Sequence, residues 1–236
     1  PPQTDIIPCY QVLWFRDTAI GHLFIEDESK INKNTIYEDL VFSAISPFLL
    51  SKNIKVSELQ EAVENLREQN SGVKYEKGVE YPEISVIICS RDRPHDLRKC
   101  LNSLKKQKVQ PSEIVVVDNS VISDSTEKLL LEFPDVVYVK EPRPGLSYAR
   151  NSGVLASKFE ILAWTDDDVE LKDNWLEKIR NVFIDKQVMA MTGLIITASL
   201  DTRSKYLFEK YWSFNRGFSE IIYDETFFNE YLHKGV

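Results

Sequence analysis

The fold is decided by Ile84-Ser-Val-Ile-Ile-Cys-Ser-Arg-Asp-Arg-Pro94, a run of mostly β-branched residues that ends in polar and charged side chains. A helical pattern follows, with Pro94 at its first position and leucines on one face. Further strands are predicted at 113–118, 136–139, 160–165 and 188–193, with helical patterns between them. Strand and helix alternating with short connections predict an α/β fold, in which helices sandwich a mainly parallel sheet.

A change of composition divides the chain. Residues 70–82 are polar, carry two glycines and end in Pro82, which is typical of a linker. We therefore predict a small N-terminal α+β domain over 1–72, a linker over 73–82 and the sheet domain over 83–236.

The N-terminal part has its own patterns. Residues 12–15 and 22–25 predict two strands around a turn containing Gly21. Apolar residues recur at helical spacing over 36–50, interrupted by Pro47, and over 57–69, where they predict a helix that begins with a capping box.

Composition excludes some classes of partner. With 236 residues, 43% of them apolar, and a net charge of −8, the chain has a sizeable core and no basic surface for nucleic acid. No apolar run approaches the roughly 20 residues of a transmembrane helix. Three cysteines, Cys9, Cys89 and Cys100, match no metal-binding spacing and indicate a reducing compartment. We expect a cytoplasmic protein, and a peripheral position at the inner face of the membrane stays open.

Polar residues follow the predicted strands where parallel folds bind ligands, beyond the carboxyl ends. The first strand leads into residues 90–94, the second ends in Asp118, and the fourth leads into Asp166-Asp167-Asp168. Three adjacent carboxylates repel one another unless a cation is present. Oxygen ligands favour Mn²⁺ or Mg²⁺, which would bridge to a diphosphate.

Two other interpretations of the aspartates remain. One is an acidic loop exposed to water. The other is an EF-hand loop over 166–177, but its sixth position is Leu171, where the turn needs glycine, and a strand pattern precedes it. We favour the metal site.

The usual phosphate-binding loops are absent from the sequence, which has neither G-x-G-x-x-G after the first strand nor G-x-x-x-x-G-K-[ST]. A nucleotide can still bind through an acid that contacts its base or ribose, for which Asp118 is the candidate. Arginines would contact the phosphates. The candidates are Arg91, Arg93, Arg143 and Arg150, each of which alone is interpreted as a surface charge.

Four motifs together resemble the family 2 glycosyltransferases, which have the GT-A (Rossmann-like) fold. They occur in the family's order and spacing. The motifs are Ile84–Pro94, Val115-Val-Val-Asp-Asn-Ser120, Glu141-Pro-Arg-Pro-Gly-Leu-Ser-Tyr-Ala-Arg-Asn151 and Ala163-Trp-Thr-Asp-Asp-Asp-Val169.

The resemblance implies a role for each matching position. Asp168 would be the principal metal ligand, with Asp166 beside it, and Asp167 would exchange roles with either neighbour. The nucleotide and donor sugar would be bound by Cys89, Ser90, Arg91, Arg93, Asp118, Arg143, Gly145, Arg150, Asp166 and Asp167.

The resemblance also implies the reaction. A sugar would move, mostly with inversion, from a UDP- or GDP-type nucleoside-diphosphate sugar to a saccharide, lipid or protein acceptor. The catalytic base belongs to a later segment of the family, so we expect it beyond Val236 and assign none here. The alternatives are a non-catalytic nucleotide-sugar-binding homologue and a nucleotidyltransferase, although the latter usually has a glycine-rich loop where residues 90–94 have none.

Residues 206–231 are unusually aromatic. The segment is interpreted either as an acceptor surface, because aromatic rings stack on sugars, or as core packing. We favour packing. The sequence predicts no oligomeric state.

Overall fold

The computed structural model describes residues 9–15, 18–25, 43–47, 49, 80–120, 122–215 and 217–227. Its contacts divide the chain into two compact units, residues 75–192 and residues 1–74 together with 193–236. The contacts thus group the residues after 192 with the N-terminal part, whereas the predicted division keeps them with the sheet. The predicted domain boundaries stay a proposal, since residues 51–79 lie outside the described ranges.

Four strands form the sheet of unit 75–192. They are β3 (Ile84–Ser90), β4 (Glu113–Asp118), β5 (Val136–Lys140) and β6 (Ile161–Asp166). Their order across the sheet is β5-β4-β3-β6, and every neighbouring pair is parallel. The predicted α/β fold with a mainly parallel sheet is confirmed.

Helices cover both faces of this sheet. They are α1 (Pro94–Lys105), α2 (Ser125–Leu130), α3 (Leu146–Ala156) and α4 (Trp175–Val182). Val86 and Ile88 belong to the core cluster that includes residues of α1, α2 and α4, whereas Ile87 belongs to the one that includes Ala149 of α3. Alternate residues of one strand thus fill opposite cores, which is why the run is apolar throughout.

The predicted fifth strand over 188–193 is wrong, because these residues have no regular secondary structure. Met189 is 89% exposed, and a Cβ at Gly193 would meet nothing within 4 Å. An apolar run becomes a strand only when a neighbour pairs with it and covers one face. Within the described ranges, these residues have no such neighbour.

The other unit contains a hairpin of β1 (Cys9–Phe15) and β2 (Thr18–Ile25), which confirms the predicted pair of strands. Gly21 was expected in the turn but lies inside β2 opposite Leu13. A Cβ at residue 21 would lie 2.4 Å from the carbonyl oxygen of Ala44, so close approach of backbone explains this glycine. The predicted helix over 57–69 lies outside the described residues, and residues 43–47 are helical, in keeping with their apolar spacing.

The aromatic segment begins in the same unit, in α5 (Arg203–Tyr211). Tyr206 is buried, with its ring centroid 5.9 Å from that of Phe24, and Phe218 lies 5.1 Å from His22. The packing interpretation holds for Tyr206, whereas Tyr211, Trp212, Phe214 and Tyr223 are exposed. In the described part of the chain, no helix has both the length and the hydropathy needed to cross a bilayer.

Replacing Gly153 with alanine tests how closely α3 packs on the sheet. A Cβ at this position would lie 2.6 Å from Cγ2 of Ile87 and 3.3 Å from Cγ2 of Val117. The helix gains about 1 kcal/mol of propensity from alanine, but overpacking a rigid core costs about 1–3 kcal/mol. We expect Gly153→Ala to lower the free energy of unfolding, measured by denaturant titration.

The matched control is Gly193→Ala, because nothing lies within 4 Å of a Cβ there. It should leave the stability within about 0.5 kcal/mol of the parent. A Gly153→Ala protein at least as stable as the parent would contradict the close packing.

Candidate active site

The predicted site residues meet at one edge of the sheet, because the parallel strands β3, β4 and β6 end there together. Ser90 is the register partner of Asp118, and Cys89 is the partner of Asp166. Residues that are 28 and 77 positions apart in sequence thus become neighbours across one strand spacing, about 4.8 Å. The sequence-based expectation of a common edge holds for these positions.

Asp167 lies at the centre of this edge and is fully buried. Its Oδ2 accepts a hydrogen bond of 2.7 Å from the Ser90 hydroxyl. Nη2 of Arg93 lies 2.5 Å from Oδ1, and Nη1 of the same guanidinium donates to Oδ2 of Asp168 at 2.9 Å. Burial raises the pKa of Asp167, although Ser90 and Arg93 oppose the shift. Its carboxylate is therefore bound by Ser90 and Arg93 and is not exposed to a ligand.

Asp166 and Asp168 flank it and are exposed. In the described ranges, no three His, Cys, Asp or Glu side chains come together as a metal-binding group. Two carboxylates suit Mg²⁺ or Mn²⁺ nevertheless, because these ions commonly take one or two carboxylates and complete their shell with phosphate and water oxygens. The first aspartate ends strand β6 and the other two follow it, with no entering helix before them, so the EF-hand interpretation does not hold.

The turn after β3 depends on Asp92, a residue that the sequence reasoning missed. Its φ is 56°, in the left-handed region that aspartate and asparagine tolerate better than most side chains. The Ser120 hydroxyl donates to its Oδ1 at 2.7 Å and ties the turn to the end of β4. Arg91 is exposed beside it, with Nε 4.0 Å from Oδ2.

Asp118 is fully buried at the end of β4. Its Oδ1 accepts from the Ser120 backbone amide at 2.9 Å, and its Oδ2 accepts from Tyr138 at 3.0 Å and from Lys140 at 2.7 Å. Burial and the hydrogen bond to Asp118 raise the pKa of Tyr138. The carboxylate that was expected to contact the base or ribose is thus covered and is already paired with Lys140.

Lys140 and Tyr138 are therefore site residues that sequence reasoning missed. The available signal was their spacing, because residues two apart on β5 share a face and Lys140 is the register partner of Asp118.

Asn119 fixes the loop that follows β5. Its side-chain amide donates to the carbonyl oxygens of Glu141 at 2.9 Å and Arg143 at 2.8 Å, and its Oδ1 accepts from the Gly145 amide at 2.9 Å. Gly145 has a φ of 139°, which strains any other residue. One side chain directly after β4 thus shapes the segment that was expected to face the diphosphate.

Glu141 lies buried beneath that segment. Its carboxylate accepts from the backbone amide, Nε and Nη2 of Arg143 at 2.7–2.9 Å and from the Ser152 hydroxyl at 2.6 Å. These bonds, led by those from the Arg143 side chain and Ser152, lower the pKa of Glu141 to about 2. The Arg143 guanidinium, stacked 4.6 Å over the Tyr148 ring, is therefore already paired with an acid.

Arg150 and Cys89 complete the predicted set. Arg150 is exposed on α3, and its charge acts on the Cys89 thiol. Burial outweighs that charge and raises the pKa of Cys89 to about 11, so the thiol is protonated at neutral pH. Cys89 and Cys100 are both free thiols.

The profile of glycosyl transferase family 2 matches residues 85–233, more than half of the chain. A curated relative, glycosyltransferase AglE of Haloferax volcanii, is 32% identical over 104 residues, which cover 41% of this chain and 34% of the relative. A glucosyl-dolichyl phosphate glucuronosyltransferase of the same organism is 24% identical over 58% of this chain and 47% of its own length. The chain spans less than half the length of each of these relatives.

Solved structures similar to part of this chain include S. aureus TarS, residues 1–349. Its TM-score is 0.40 at 22% identity, covering 44% of this chain and 32% of that one. Glucosyl-3-phosphoglycerate synthase of Mycobacterium tuberculosis, in complex with Mn²⁺, UDP and glucosyl-3-phosphoglycerate, has a TM-score of 0.38 at 17% identity, covering 44% and 40%.

Replacing Glu141 with glutamine should give a pH-dependent loss of stability. The pKa of Glu141 is lowered on folding from the usual value of about 4.3 to about 2. The ionised carboxylate therefore stabilises the fold fully above the unfolded value, and the stabilisation disappears as the pH falls through the folded value. We expect Glu141→Gln to have a lower Tm than the parent at pH 7, with a difference that shrinks between about pH 5 and pH 2.

The control for this measurement is Glu170→Gln, which changes an exposed carboxylate. Its Tm should follow that of the parent at every pH. A Glu141→Gln difference that does not vary with pH would mean that the ionised carboxylate does not hold the loop.

Proposed function

Since the chain belongs to glycosyl transferase family 2, we propose that its sheet unit binds a nucleoside-diphosphate sugar together with Mn²⁺ or Mg²⁺ and transfers the sugar to an acceptor hydroxyl. The supporting observation is the edge formed by β3, β4 and β6. Two exposed carboxylates, Asp166 and Asp168, flank the buried carboxylate of Asp167, which is bound by other groups of the protein.

In this proposal, Asp168 and Asp166 hold the metal ion. When bound, the ion neutralises the diphosphate as it leaves. Two oxygen ligands from the protein leave the remaining positions for phosphate oxygens and water, which is the usual arrangement for these ions in phosphate chemistry.

The arginines are proposed to act in two ways, either by contacting the phosphates directly or by shaping the site. Arg150 is exposed, and Arg91 is exposed with only a 4.0 Å contact to Asp92, so both can donate to phosphate oxygens. Arg143 and Arg93 already contact carboxylates, so their contribution to the donor is first to shape the site. The positive φ of Gly145 gives the phosphate-facing loop its bend.

Asp118 is proposed to contact the base or ribose after Lys140 turns aside. Lys140 and Asp118 together then present a donor beside an acceptor, which suits a base with a carbonyl next to a ring N–H, as in uracil or guanine. We propose inversion at the anomeric carbon, and we assign no catalytic base among these residues. The class of acceptor and the cytoplasmic location stay predictions.

Replacing Asp168 with alanine tests the site. Because the carboxylate is half exposed, its loss should change the Tm little, whereas the metal loses its principal ligand. We expect calorimetric titration to show that Mn²⁺ strengthens UDP or GDP binding to the parent by at least about tenfold, and that this gain disappears in Asp168→Ala.

The control is Asp173→Ala, which removes a carboxylate of similar exposure, paired with Lys108, outside the sheet edge. It should keep the full metal-dependent gain. Equal Mn²⁺-dependent binding by the parent and Asp168→Ala would overturn the proposed site.

A further inference from the structure

We propose that Arg93 is a positioning residue whose guanidinium occupies Asp168 while no metal ion is bound. As a result, the metal ion binds together with the nucleotide and not before it. The inference rests on the proposed function. In this inference, Arg93 controls the order in which metal ion and nucleotide bind, and does not recognise phosphate directly.

The guanidinium of Arg93 bridges two of the three aspartates. Nη2 lies 2.5 Å from Oδ1 of Asp167, and Nη1 lies 2.9 Å from Oδ2 of Asp168. The second contact occupies an oxygen of the residue expected to be the principal metal ligand. Three adjacent carboxylates therefore have a resident counter-ion in the absence of metal.

The backbone of Arg93 is fixed on both sides. Arg93 precedes the first residue of α1, and its carbonyl accepts from the Leu97 amide at 3.1 Å. On the other side, the left-handed Asp92 is tied to Ser120. The backbone that carries the guanidinium is thus held between α1 and the end of β4 by the local fold.

The two contacts of Arg93 differ in how easily they break. Asp167 is fully buried, so separating it from Arg93 would leave a buried carboxylate without its ion-pair partner, which is strongly unfavourable. Asp168 and Arg93 are both about half exposed, and an exposed pair contributes little. An arriving metal ion therefore displaces Arg93 from Asp168 but not from Asp167.

Arg93 consequently stays close to the metal and repels it. Within the described residues, the protein offers no group of three ligands that would offset this repulsion. A nucleoside diphosphate offsets it, because the phosphates add negative charge and oxygen ligands at once. The free ion should bind weakly, and the ion with its nucleotide should bind well.

The test compares Mn²⁺ binding with and without nucleotide in three proteins. Mn²⁺ alone is titrated into the parent, Arg93→Lys and Arg93→Gln, with bound Mn²⁺ followed by electron paramagnetic resonance, and the titrations are repeated with saturating UDP and with saturating GDP. Thermal melts establish that each protein is folded. The control is Lys99→Gln, which removes an exposed cation of α1 that pairs with Asp96.

Lysine keeps the charge near Asp167 but lacks the planar fork with which Arg93 reaches the two carboxylates through two different nitrogens. Freeing Asp168 from an exposed ion pair should tighten the binding of Mn²⁺ alone roughly twofold to fivefold. Glutamine also removes the charge beside the ion, and should tighten it by at least about tenfold. Lys99→Gln should match the parent.

The order of affinities for Mn²⁺ alone therefore decides the inference. It is overturned if Arg93→Lys binds Mn²⁺ alone no more tightly than the parent, and this variant remains informative if Arg93→Gln does not fold. Failure of the proposed function looks different. In that case neither UDP nor GDP improves Mn²⁺ binding to the parent.

Discussion

The carboxylate of Asp167 must be satisfied inside the protein, and the rest of the site follows from that requirement. It accepts from Ser90 at the end of β3 and lies against Arg93, the residue before α1. A buried charge without partners is strongly destabilising, so these groups cannot drift apart. With the middle aspartate turned inwards, its two neighbours stay at the surface. The same sequence run thus supplies both a structural bond and a ligand-binding surface.

The other strand ends follow a similar plan. Asp118 is buried under Lys140, and Glu141 is buried under Arg143. Between them, Asn119 joins β4 to the loop after β5 through three hydrogen bonds. The edge is therefore a network of paired acids and not an open row of charges. Networks of this kind give a binding site a defined geometry before any ligand arrives.

Sequence patterns predict the sheet well, because a strand buried on both faces must be apolar throughout. They also place residues 90–94, 118 and 166–168 on one edge, since parallel strands leave no other arrangement. They do not distinguish Asp167 from its neighbours, because which carboxylate turns inwards depends on Ser90, 77 positions away. The partner of Asp118 depends on strand register in the same way. The strand predicted over 188–193 is wrong for a related reason, since apolar character alone does not supply a neighbouring strand.

The bonds of Asn119 also bear on the chemical lifetime of the protein. An asparagine followed by a small residue such as Ser120 ages by deamidation, in which the next backbone nitrogen attacks the side-chain carbonyl. Here that nitrogen donates to Asp118, and the side chain is held by three partners, so the attacking geometry is closed off. Conversion to aspartate would also exchange the amide donor for a carboxylate facing two carbonyl oxygens. The fold therefore protects from deamidation the asparagine whose side chain holds this loop.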